Sequence, residues 1–451
     1  MLIPIFIIRV MIKKKEKAPA TATPAVDVPW PDRASELATT GDIEGLQELL
    51  EATEDKRFNN KLDRRGTNAF IIACEEGRVE MIKMLLAYRP NINYKTKNKS
   101  TGLMLAALEG EYETVELLIE IGAFLDTAGE DDETALHLVC KHNRHEGFLK
   151  VLELLLRKLE DGQIDVVSTK KETPLTIALK MDFLEHAGRL LARGANINHQ
   201  GINNNTQVIR CAFDGRLDML EYLVANKADL SLRNFNEETA LIVAAKRNLK
   251  DIVTYLVSKG CSIDEKDATG KTALMWLCMV CNDPSLIEYF VNELHADINL
   301  CDNWGYTPLM FAVKSTSQNN TSIMKFLLEK GSYINNIDKS YCTCLIYAAK
   351  RKKIPECKLL LDNGADPEYT NFDGKNALDY LKKKEKKEIV EHISTIRTLG
   401  VVVKPHPDIP EKPRWVDHLL ENKGFVPWPE NERHRNNEES EDERVNIIDF
   451  K

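Results

Sequence analysis

The sequence predicts an all-α solenoid, in which helix pairs joined by hairpin-shaped turns stack side by side. Three observations predict this fold class. One turn-and-helix motif returns about every 33 residues along most of the chain, an apolar segment with helical spacing follows it, and a glycine closes that segment. The motif is clearest at residues 302–309, and its Thr position recurs at Asn68, Thr101, Thr134, Thr173, Thr206, Thr239, Thr272, Thr307, Thr343 and Asn376.

The first half of the motif has a direct physical explanation. Asp302 to Gly305 is a tight turn, because an aspartate accepts hydrogen bonds from nearby backbone and a glycine adopts positive φ without strain. Thr307 supplies the side-chain oxygen that caps a helix N-terminus, and Pro308 occupies the first helical position, where its missing N–H costs nothing. Each copy of the motif therefore predicts the start of a short first helix.

A second helix is predicted after the first in each copy. Val253, Leu256 and Val257 have the apolar spacing of a helix that is buried on one side. Gly260 then stands where a left-handed residue commonly ends a helix. The repeating unit is therefore helix, turn, helix and hairpin turn.

The pattern Asp-x-x-Gly-x-Thr-Pro-Leu-x-x-Ala, followed by a second helix and Gly-Ala-Asp/Asn-x-Asn, resembles the ankyrin repeat. About ten copies are present, although only Thr173-Pro174-Leu175 and Thr307-Pro308-Leu309 keep the Thr-Pro-Leu core. The resemblance implies a binding scaffold and not an enzyme. It also implies that the turn tips and the exposed side of each first helix line a concave groove.

The chain is predicted to divide into four segments. They are a flexible leader at 1–31, an N-terminal capping half-repeat at 32–62, the solenoid at 63–395, and a Pro/Trp-rich and acidic tail at 396–451 that is largely extended or disordered. Within the solenoid, the apolar spacing from Phe148 to Leu159 predicts a longer second helix. The polar run from Ser315 to Asn320 predicts a loop.

Composition limits the class of protein. The net charge of −9 at pH 7 argues against generic nucleic-acid binding, which gains affinity by neutralising phosphates. Cys140, Cys211 and Cys278 occupy first-helix positions where Ala is usual, so we expect reduced core residues of an intracellular, cytoplasmic protein. The apolar run at residues 1–10 is about half the length of a membrane span, so no membrane-spanning segment is expected.

Two residue groups invite a chemical interpretation and do not support it. His142, His145 and Glu146 lack the His-Glu-x-x-His spacing and fall at a junction between helices. Cys278 and Cys281 have the spacing of a redox pair, but the first falls at a core position and the second at a turn position. No phosphate-binding loop, nucleophile elbow or kinase signature is present. We therefore expect no catalytic residue, no cofactor and no metal.

The exposed positions of the predicted groove change from acidic to basic along the chain. Basic residues near the ends of first helices, with aromatic residues at or near turn tips, have the composition of binding hot spots and would steer an acidic partner segment. A solvated charged face, with Trp304 only supporting its turn, is the plainer alternative. Including two tail tryptophans, the candidate partner-binding residues are Lys246, Arg247, Lys314, Lys350, Arg351, Phe235, Trp304, Tyr341, Phe372, Trp415 and Trp428.

The sequence thus predicts a protein-binding scaffold or adaptor that uses the groove and turn tips, with a second contact from the tail. Two contacts joined by a linker gain avidity through effective concentration. Two other functions remain open. One is a structural component of a cytoskeletal or axonemal assembly, in which the groove binds acidic, tubulin-like segments. The other is a regulatory subunit that blocks or presents the surface of an enzyme.

Overall fold

The computed structural model describes residues 29–52, 62–143, 145–280 and 284–404. In these four ranges the regular structure is helical, and no β-strand occurs. The chain divides into two compact units, residues 1–207 and residues 208–451. None of the helices in the described ranges combines the length and the apolar character that crossing a membrane requires.

Unit 1 is built from helix pairs, in which each odd-numbered helix is the first of its pair. A single 3₁₀ turn accompanies three of the loops, at Glu130–Asp132, Asp161–Gln163 and Ile202–Asn204. The α-helices are α1 (Trp30–Thr40), α2 (Ile43–Glu51), α3 (Ala69–Glu75), α4 (Val79–Leu86), α5 (Gly102–Glu109), α6 (Tyr112–Glu120), α7 (Ala135–Cys140), α8 (Glu146–Lys158), α9 (Pro174–Lys180) and α10 (Leu184–Ala192).

Unit 2 continues the same alternation, beginning with α11 at the boundary. Its last pair consists of a 3₁₀ turn, Ala377–Tyr380, and a final long helix. The α-helices are α11 (Gln207–Asp214), α12 (Leu217–Ala225), α13 (Ala240–Lys246), α14 (Lys250–Ser258), α15 (Ala273–Val280), α16 (Pro284–Asn292), α17 (Pro308–Lys314), α18 (Asn320–Glu329), α19 (Cys344–Lys350), α20 (Ile354–Asp362) and α21 (Lys383–Thr398).

The predicted start of the first helices is confirmed. At α17 the Thr307 hydroxyl accepts a hydrogen bond from the Met310 backbone N–H at 3.4 Å, and Pro308 is the first helical residue. The same cap precedes α13, where Thr239 accepts from Ile242, also at 3.4 Å. Each cap satisfies one of the N–H groups that a helix leaves without an intrahelical partner.

The predicted turn is confirmed as well. Asp302 Oδ1 accepts backbone hydrogen bonds from Trp304 at 2.9 Å and from Tyr306 at 2.8 Å. Gly305 has a φ of +89°, and a Cβ at this position would lie 2.9 Å from the Cα of Asp338 in the next copy. Glycine is therefore required both for the backbone conformation and for the close approach of two neighbouring turns.

Within each unit, first helices pack against first helices and carry small residues at the contact. Such contacts join α5 to α7 in unit 1, and α13 to α15 and α15 to α17 in unit 2. Ala106, Ala244 and Ala312 are fully buried at these contacts. Cys140, Cys211 and Cys278 are buried free thiols, as predicted, while Cys281 lies outside the described residues.

The irregular segments also have a structural account. α8 is 13 residues long, which confirms the longer second helix, and residues 315–319 connect α17 to α18 without helix. The segment predicted as a capping half-repeat, 32–62, holds all of α2 and most of α1, which begins at Trp30 in the predicted leader. The final helix extends to Thr398, three residues past the predicted end of the solenoid. Most of the predicted leader, residues 1–28, and residues 405–451 of the predicted tail lie outside the described residues.

Candidate functional site

Neighbouring turn tips in unit 2 are joined by backbone hydrogen bonds. Each later tip donates an N–H to a carbonyl of the tip before it. The four bonds are Ala268 to Asn236 at 2.9 Å, Asn303 to Thr269 at 3.0 Å, Lys339 to Trp304 at 2.9 Å, and Phe372 to Ser340 at 3.1 Å. The tips therefore form one continuous edge, with fixed spacing between the side chains that project from it.

The four aromatic residues predicted at the tips lie along this edge. Phe235 is 74% exposed and Trp304 is 44% exposed. Tyr341 and Phe372 are half-buried, and their ring centroids lie 6.4 Å apart. Exposed large aromatic side chains on an ordered edge are a chemical basis for partner contact.

Several of the lysines predicted to line the groove form ion pairs within their own copy. They stand seven residues after the N-cap, and in several copies they form an ion pair with the glutamate directly before the N-cap. In unit 1 Lys180 pairs with Glu172 at 3.0 Å, and in unit 2 Lys246 pairs with Glu238 at 2.6 Å. Glu238 is buried, so this second pair neutralises much of the charge of Lys246.

In unit 2 each of these lysines also reaches an aromatic ring of the next copy. That ring stands four residues after the N-cap. The ammonium groups lie over the rings at 4.2 Å for Lys246 and Trp276, 5.5 Å for Lys314 and Tyr347, and 5.1 Å for Lys350 and Tyr380. These separations are within the range of cation–π attraction.

The seventh residue of α15 is Met279, so this copy has no lysine at the position of Lys246, Lys314 and Lys350. Lys271, just before the N-cap of α15, contacts the aromatic rings instead. The Lys271 ammonium lies 4.6 Å from the Trp276 ring, 5.6 Å from Phe311 and 5.9 Å from Trp304. Sequence reasoning missed Lys271 and the four rings. The recurrence of an aromatic residue four positions after the N-cap is a sequence signal that identifies the rings but not Lys271. We call this set the lysine–aromatic ladder: Lys246, Lys271, Lys314, Lys350, Trp276, Phe311, Tyr347 and Tyr380.

Partly buried hydrogen bonds fix the orientation of three ladder rings. Trp276 Nε1 donates to Asp267 Oδ2 at 2.8 Å, and the Tyr347 hydroxyl donates to Asp338 Oδ2 at 2.5 Å. Tyr380 Oη accepts from Asn371 Nδ2 at 2.9 Å. Burial and the neighbouring Asp338 carboxylate raise the pKa of Tyr347, which therefore stays a neutral donor.

The copy that contains Phe311 lacks this hydrogen bond. Phe311 stands where the neighbouring copies have Trp or Tyr, and it has no group that can donate to Asp302. Asp302 is 7% exposed, and among the described residues its Oδ2 atom is buried without a hydrogen-bond partner. Burial raises the pKa of this carboxyl above its ordinary value.

The two predicted arginines differ in what they contact. Arg247 is exposed, and its guanidinium lies 4.7 Å from the Phe213 ring. Arg351 instead donates to the Lys314 carbonyl at the C-terminus of α17, while Lys353 donates to the Val313 carbonyl at 3.1 Å. Cations at a helix C-terminus donate hydrogen bonds to its free carbonyls and interact favourably with the helix dipole. Arg351 therefore has a role in capping α17.

The other candidate groups have structural roles or lie elsewhere. His145 Nε2 lies 3.1 Å from the Glu109 carbonyl, and its Nδ1 accepts from the Gly147 N–H at 3.1 Å, so both ring nitrogens are occupied. Across the part of the chain that the structure describes, no cluster of His, Cys, Asp or Glu has a metal-binding arrangement. Trp415 and Trp428 lie outside the described residues.

Comparison with known families gives one clear match. A family model described as "Ankyrin repeats (3 copies)" matches residues 34–129, 208–283, 259–338, 277–371 and 316–395. These matches cover more than half of the chain.

Individual relatives match over shorter parts of their own length. Ankyrin repeat and KH domain-containing protein mask-1 of Caenorhabditis elegans is 27% identical over 164 residues, 36% of this chain and 6% of that protein. Inversin of Mus musculus is 29% identical over 160 residues, 36% of this chain and 14% of that protein. Ankyrin repeat protein nuc-2 of Neurospora crassa is 22% identical over 330 residues, 71% of this chain and 27% of that protein. The chain thus spans a small fraction of these relatives.

Among solved structures, the human ASB11 ankyrin repeat domain is similar with a TM-score of 0.41 and 24% sequence identity. The match covers 49% of this chain and 96% of that domain.

Proposed function

Because the chain belongs to the ankyrin-repeat family, whose members generally mediate protein–protein interaction, we propose that it is a non-enzymatic, cytoplasmic scaffold or adaptor. It recognises an acidic segment of a partner protein through the lysine–aromatic ladder and the adjoining turn tips of unit 2. The observation that carries this proposal is the periodic placement of lysine ammonium groups over ring faces in successive copies.

The ladder is suited to carboxylates because its cations are already positioned. A free lysine loses rotamer entropy when it binds, at a cost of about 0.5–1.5 kcal/mol per immobilised side chain. In the ladder much of that cost is met by folding, because ring faces and hydrogen-bonded neighbours restrict the lysines. An extended acidic segment that runs across successive copies meets one ammonium group per copy, with apolar ring surface between them.

Not all predicted residues contribute equally to this recognition. Lys271 and Lys350 are the principal charges, because neither makes an ion pair with another described residue, whereas Lys246 is neutralised by Glu238. Phe235 and Trp304 add exposed apolar contact at the tips. In the part of the predicted tail that lies outside the described residues, Trp415 and Trp428 form the proposed second contact.

A second basic cluster lies at the start of α21. Residues 382–387 hold five lysines, but two of these are engaged, Lys386 with Asp379 at 3.6 Å and Lys387 with Glu391 at 3.8 Å. Lys383 and Lys384 are exposed and lie among other cations. This cluster therefore provides a charge-matched control.

The direct test is titration with a labelled peptide of twelve glutamates at low salt, using the full chain with the acidic residues of 430–443 replaced by the corresponding amides so that this segment cannot compete with the peptide. We expect the variant with Lys271→Gln and Lys350→Gln to bind about tenfold more weakly, since each contact is worth about 0.7 kcal/mol in this partly exposed setting. The control with Lys383→Gln and Lys384→Gln has the same net charge as this variant and should bind the peptide as strongly as the chain that keeps all four lysines. Equal losses in the two variants would show that only net charge matters and would reject the ladder as the site.

The same surface could serve either of two narrower roles, and the identity of the bound partner distinguishes them. If the acidic segment belongs to a cytoskeletal polymer, the chain should co-sediment with microtubules, and the Lys271→Gln and Lys350→Gln variant should not. If the chain is a regulatory subunit, it should form a soluble complex of fixed stoichiometry with an enzyme. Both outcomes are compatible with the ladder, and they define which assembly uses it.

A further inference from the structure

We propose that an acidic segment of this same chain, residues 430–443, docks on the lysine–aromatic ladder of unit 2 and competes with partners for it. The inference rests on the proposed function, because it assumes that the ladder binds acidic segments. It adds a regulatory element: the ladder is occupied in cis until a partner with a stronger acidic segment displaces the intramolecular one.

The charge of the segment complements the ladder. Residues 430–443 contain two arginines, Arg433 and Arg435, one histidine, His434, and no aliphatic residue, Phe, Tyr or Trp. The segment thus offers a dense set of carboxylates and little else that could pack. Its seven acidic residues are Glu430, Glu432, Glu438, Glu439, Glu441, Asp442 and Glu443.

On the ladder, the complementary cations are available at defined places. Lys271 lies among three rings, and Lys350 lies 3.4 Å from the Cys342 sulfur and 5.1 Å from the Tyr380 ring. Within the described ranges neither forms an ion pair. Both belong to unit 2, two copies apart along the stack. Because packed helices lie about 8–10 Å apart, these ammonium groups are about 20 Å from each other along the stack.

The chain leaves the described region from a point on the same unit. The Lys404 N–H donates to the Gly364 carbonyl at 2.9 Å, and Asn335 Nδ2 donates to the Lys404 carbonyl at 2.7 Å. The interval from Lys404 to Glu430 spans at most about 90 Å when fully extended, at about 3.4 Å per residue. The acidic segment can therefore reach every step of the ladder from its attachment on unit 2.

Attachment in cis makes even a weak contact effective. A tethered segment experiences an effective concentration in the millimolar range when its linker can span the site. If the free segment binds with a dissociation constant near 100 μM, about nine tenths of the ladders are occupied, and the apparent affinity for a partner falls about tenfold. A partner must then bind the ladder strongly enough to displace the chain's own acidic segment. The ladder is therefore selective for strongly acidic or multivalent ligands.

The experiment uses the full chain and a labelled synthetic peptide of residues 430–443 as the probe. The test variant replaces the seven acidic residues of the segment with the corresponding amides. We expect this variant to bind the peptide about tenfold more tightly than the unaltered chain at low salt, with the difference shrinking as salt screens the contact. A control variant neutralises four acidic residues of the preceding stretch, Asp408, Glu411, Asp417 and Glu421, and should bind as the unaltered chain does.

Carbodiimide cross-linking of the unaltered chain provides the second readout. We expect zero-length cross-links from Lys271 or Lys350 to carboxylates of residues 430–443, formed within one chain when heavy and light isotopic forms are mixed. Cross-links between heavy and light chains would show docking on a second copy and would overturn the cis proposal.

The possible results separate this inference from the proposed function. Equal binding by the unaltered chain and the neutralised variant, still lost on Lys271→Gln and Lys350→Gln, would refute cis docking and leave the ladder as the binding site. No binding by either form would refute both.

Discussion

Phe311→Tyr is expected to stabilise unit 2, because it supplies the hydrogen bond that the turn of Asp302 lacks. In the neighbouring copies Trp276 and Tyr347 donate to the equivalent aspartates, at 2.8 Å and 2.5 Å. Phe311 occupies the same position, is 4% exposed, and leaves Asp302 Oδ2 without a partner among the described residues. A tyrosine hydroxyl would reach the place where this oxygen accepts.

The magnitude follows from the energy of an unsatisfied buried group. Leaving a buried acceptor without a partner costs about 1–3 kcal/mol, and a hydrogen bond to a charged group contributes about 1.5–3 kcal/mol. Ordering and desolvating the new hydroxyl offset part of this gain. We expect Phe311→Tyr to raise the free energy of unfolding by about 1–2 kcal/mol at pH 7.

The pH dependence provides an independent check. The pKa of Asp302 is raised by burial, so the folded protein holds its proton more tightly than the unfolded chain does. This group therefore stabilises the fold most at low pH, and its contribution is lost as pH rises from the unfolded pKa through the folded pKa. Because Phe311→Tyr stabilises the ionised form, its gain should be largest at pH 7 and should shrink toward pH 4.

Urea unfolding followed by tryptophan fluorescence measures the effect, since Trp304 lies two residues from Asp302. Tyr347→Phe is the reciprocal variant: it removes the donor to Asp338 and should destabilise by about 1–3 kcal/mol. If Phe311→Tyr is neutral or destabilising at pH 7 while Tyr347→Phe is destabilising, then the Asp302 oxygen does not need a donor and the reasoning is refuted.

Three further substitutions test other parts of the account. His186 is 1% exposed, neither ring nitrogen has a partner among the described residues, and burial lowers its pKa. Because the unfolded chain binds this proton more readily near pH 6.5, the free energy of unfolding falls as pH falls. His186→Met should therefore reduce the loss of stability between pH 7 and pH 5 in thermal scans. Gly305→Ala should lower the free energy of unfolding by more than about 1 kcal/mol, because of the positive φ and the close approach to Asp338. In urea unfolding this loss should be larger than that of Gly374→Ala, where a Cβ would meet open space. Arg351→Ala should lower stability by about 1 kcal/mol through the lost cap of α17, yet leave glutamate-peptide affinity nearly unchanged.

The local features of the fold could be predicted because each depends on a few adjacent residues. Thr307 and Pro308 specify the helix start, and Asp302 with Gly305 specifies the turn, so period and element order follow from the sequence. The extra length of α8 could also be predicted, because its apolar helical spacing continues beyond the length of most other second helices.

The ladder was only partly predictable because its contacts join different copies. Lys246, Lys314 and Lys350 were identified from exposed positions, but their pairing with rings depends on how the seventh position of one helix meets the fourth position of the next. Arg351 was identified with them, although its guanidinium caps a neighbouring helix. Such distinctions require the packing between copies, which no local pattern encodes.

An amide hydrogen-exchange footprint of the twelve-glutamate peptide, on the full chain with the acidic residues of 430–443 replaced by amides, tests whether the ladder is the surface that binds acidic segments. We expect added protection at the turn tips of unit 2, beside Lys271, and at the C-terminal ends of α13, α17 and α19, where the other three ladder lysines lie. Protection confined to α21 and its lysine cluster, or to unit 1, would contradict it.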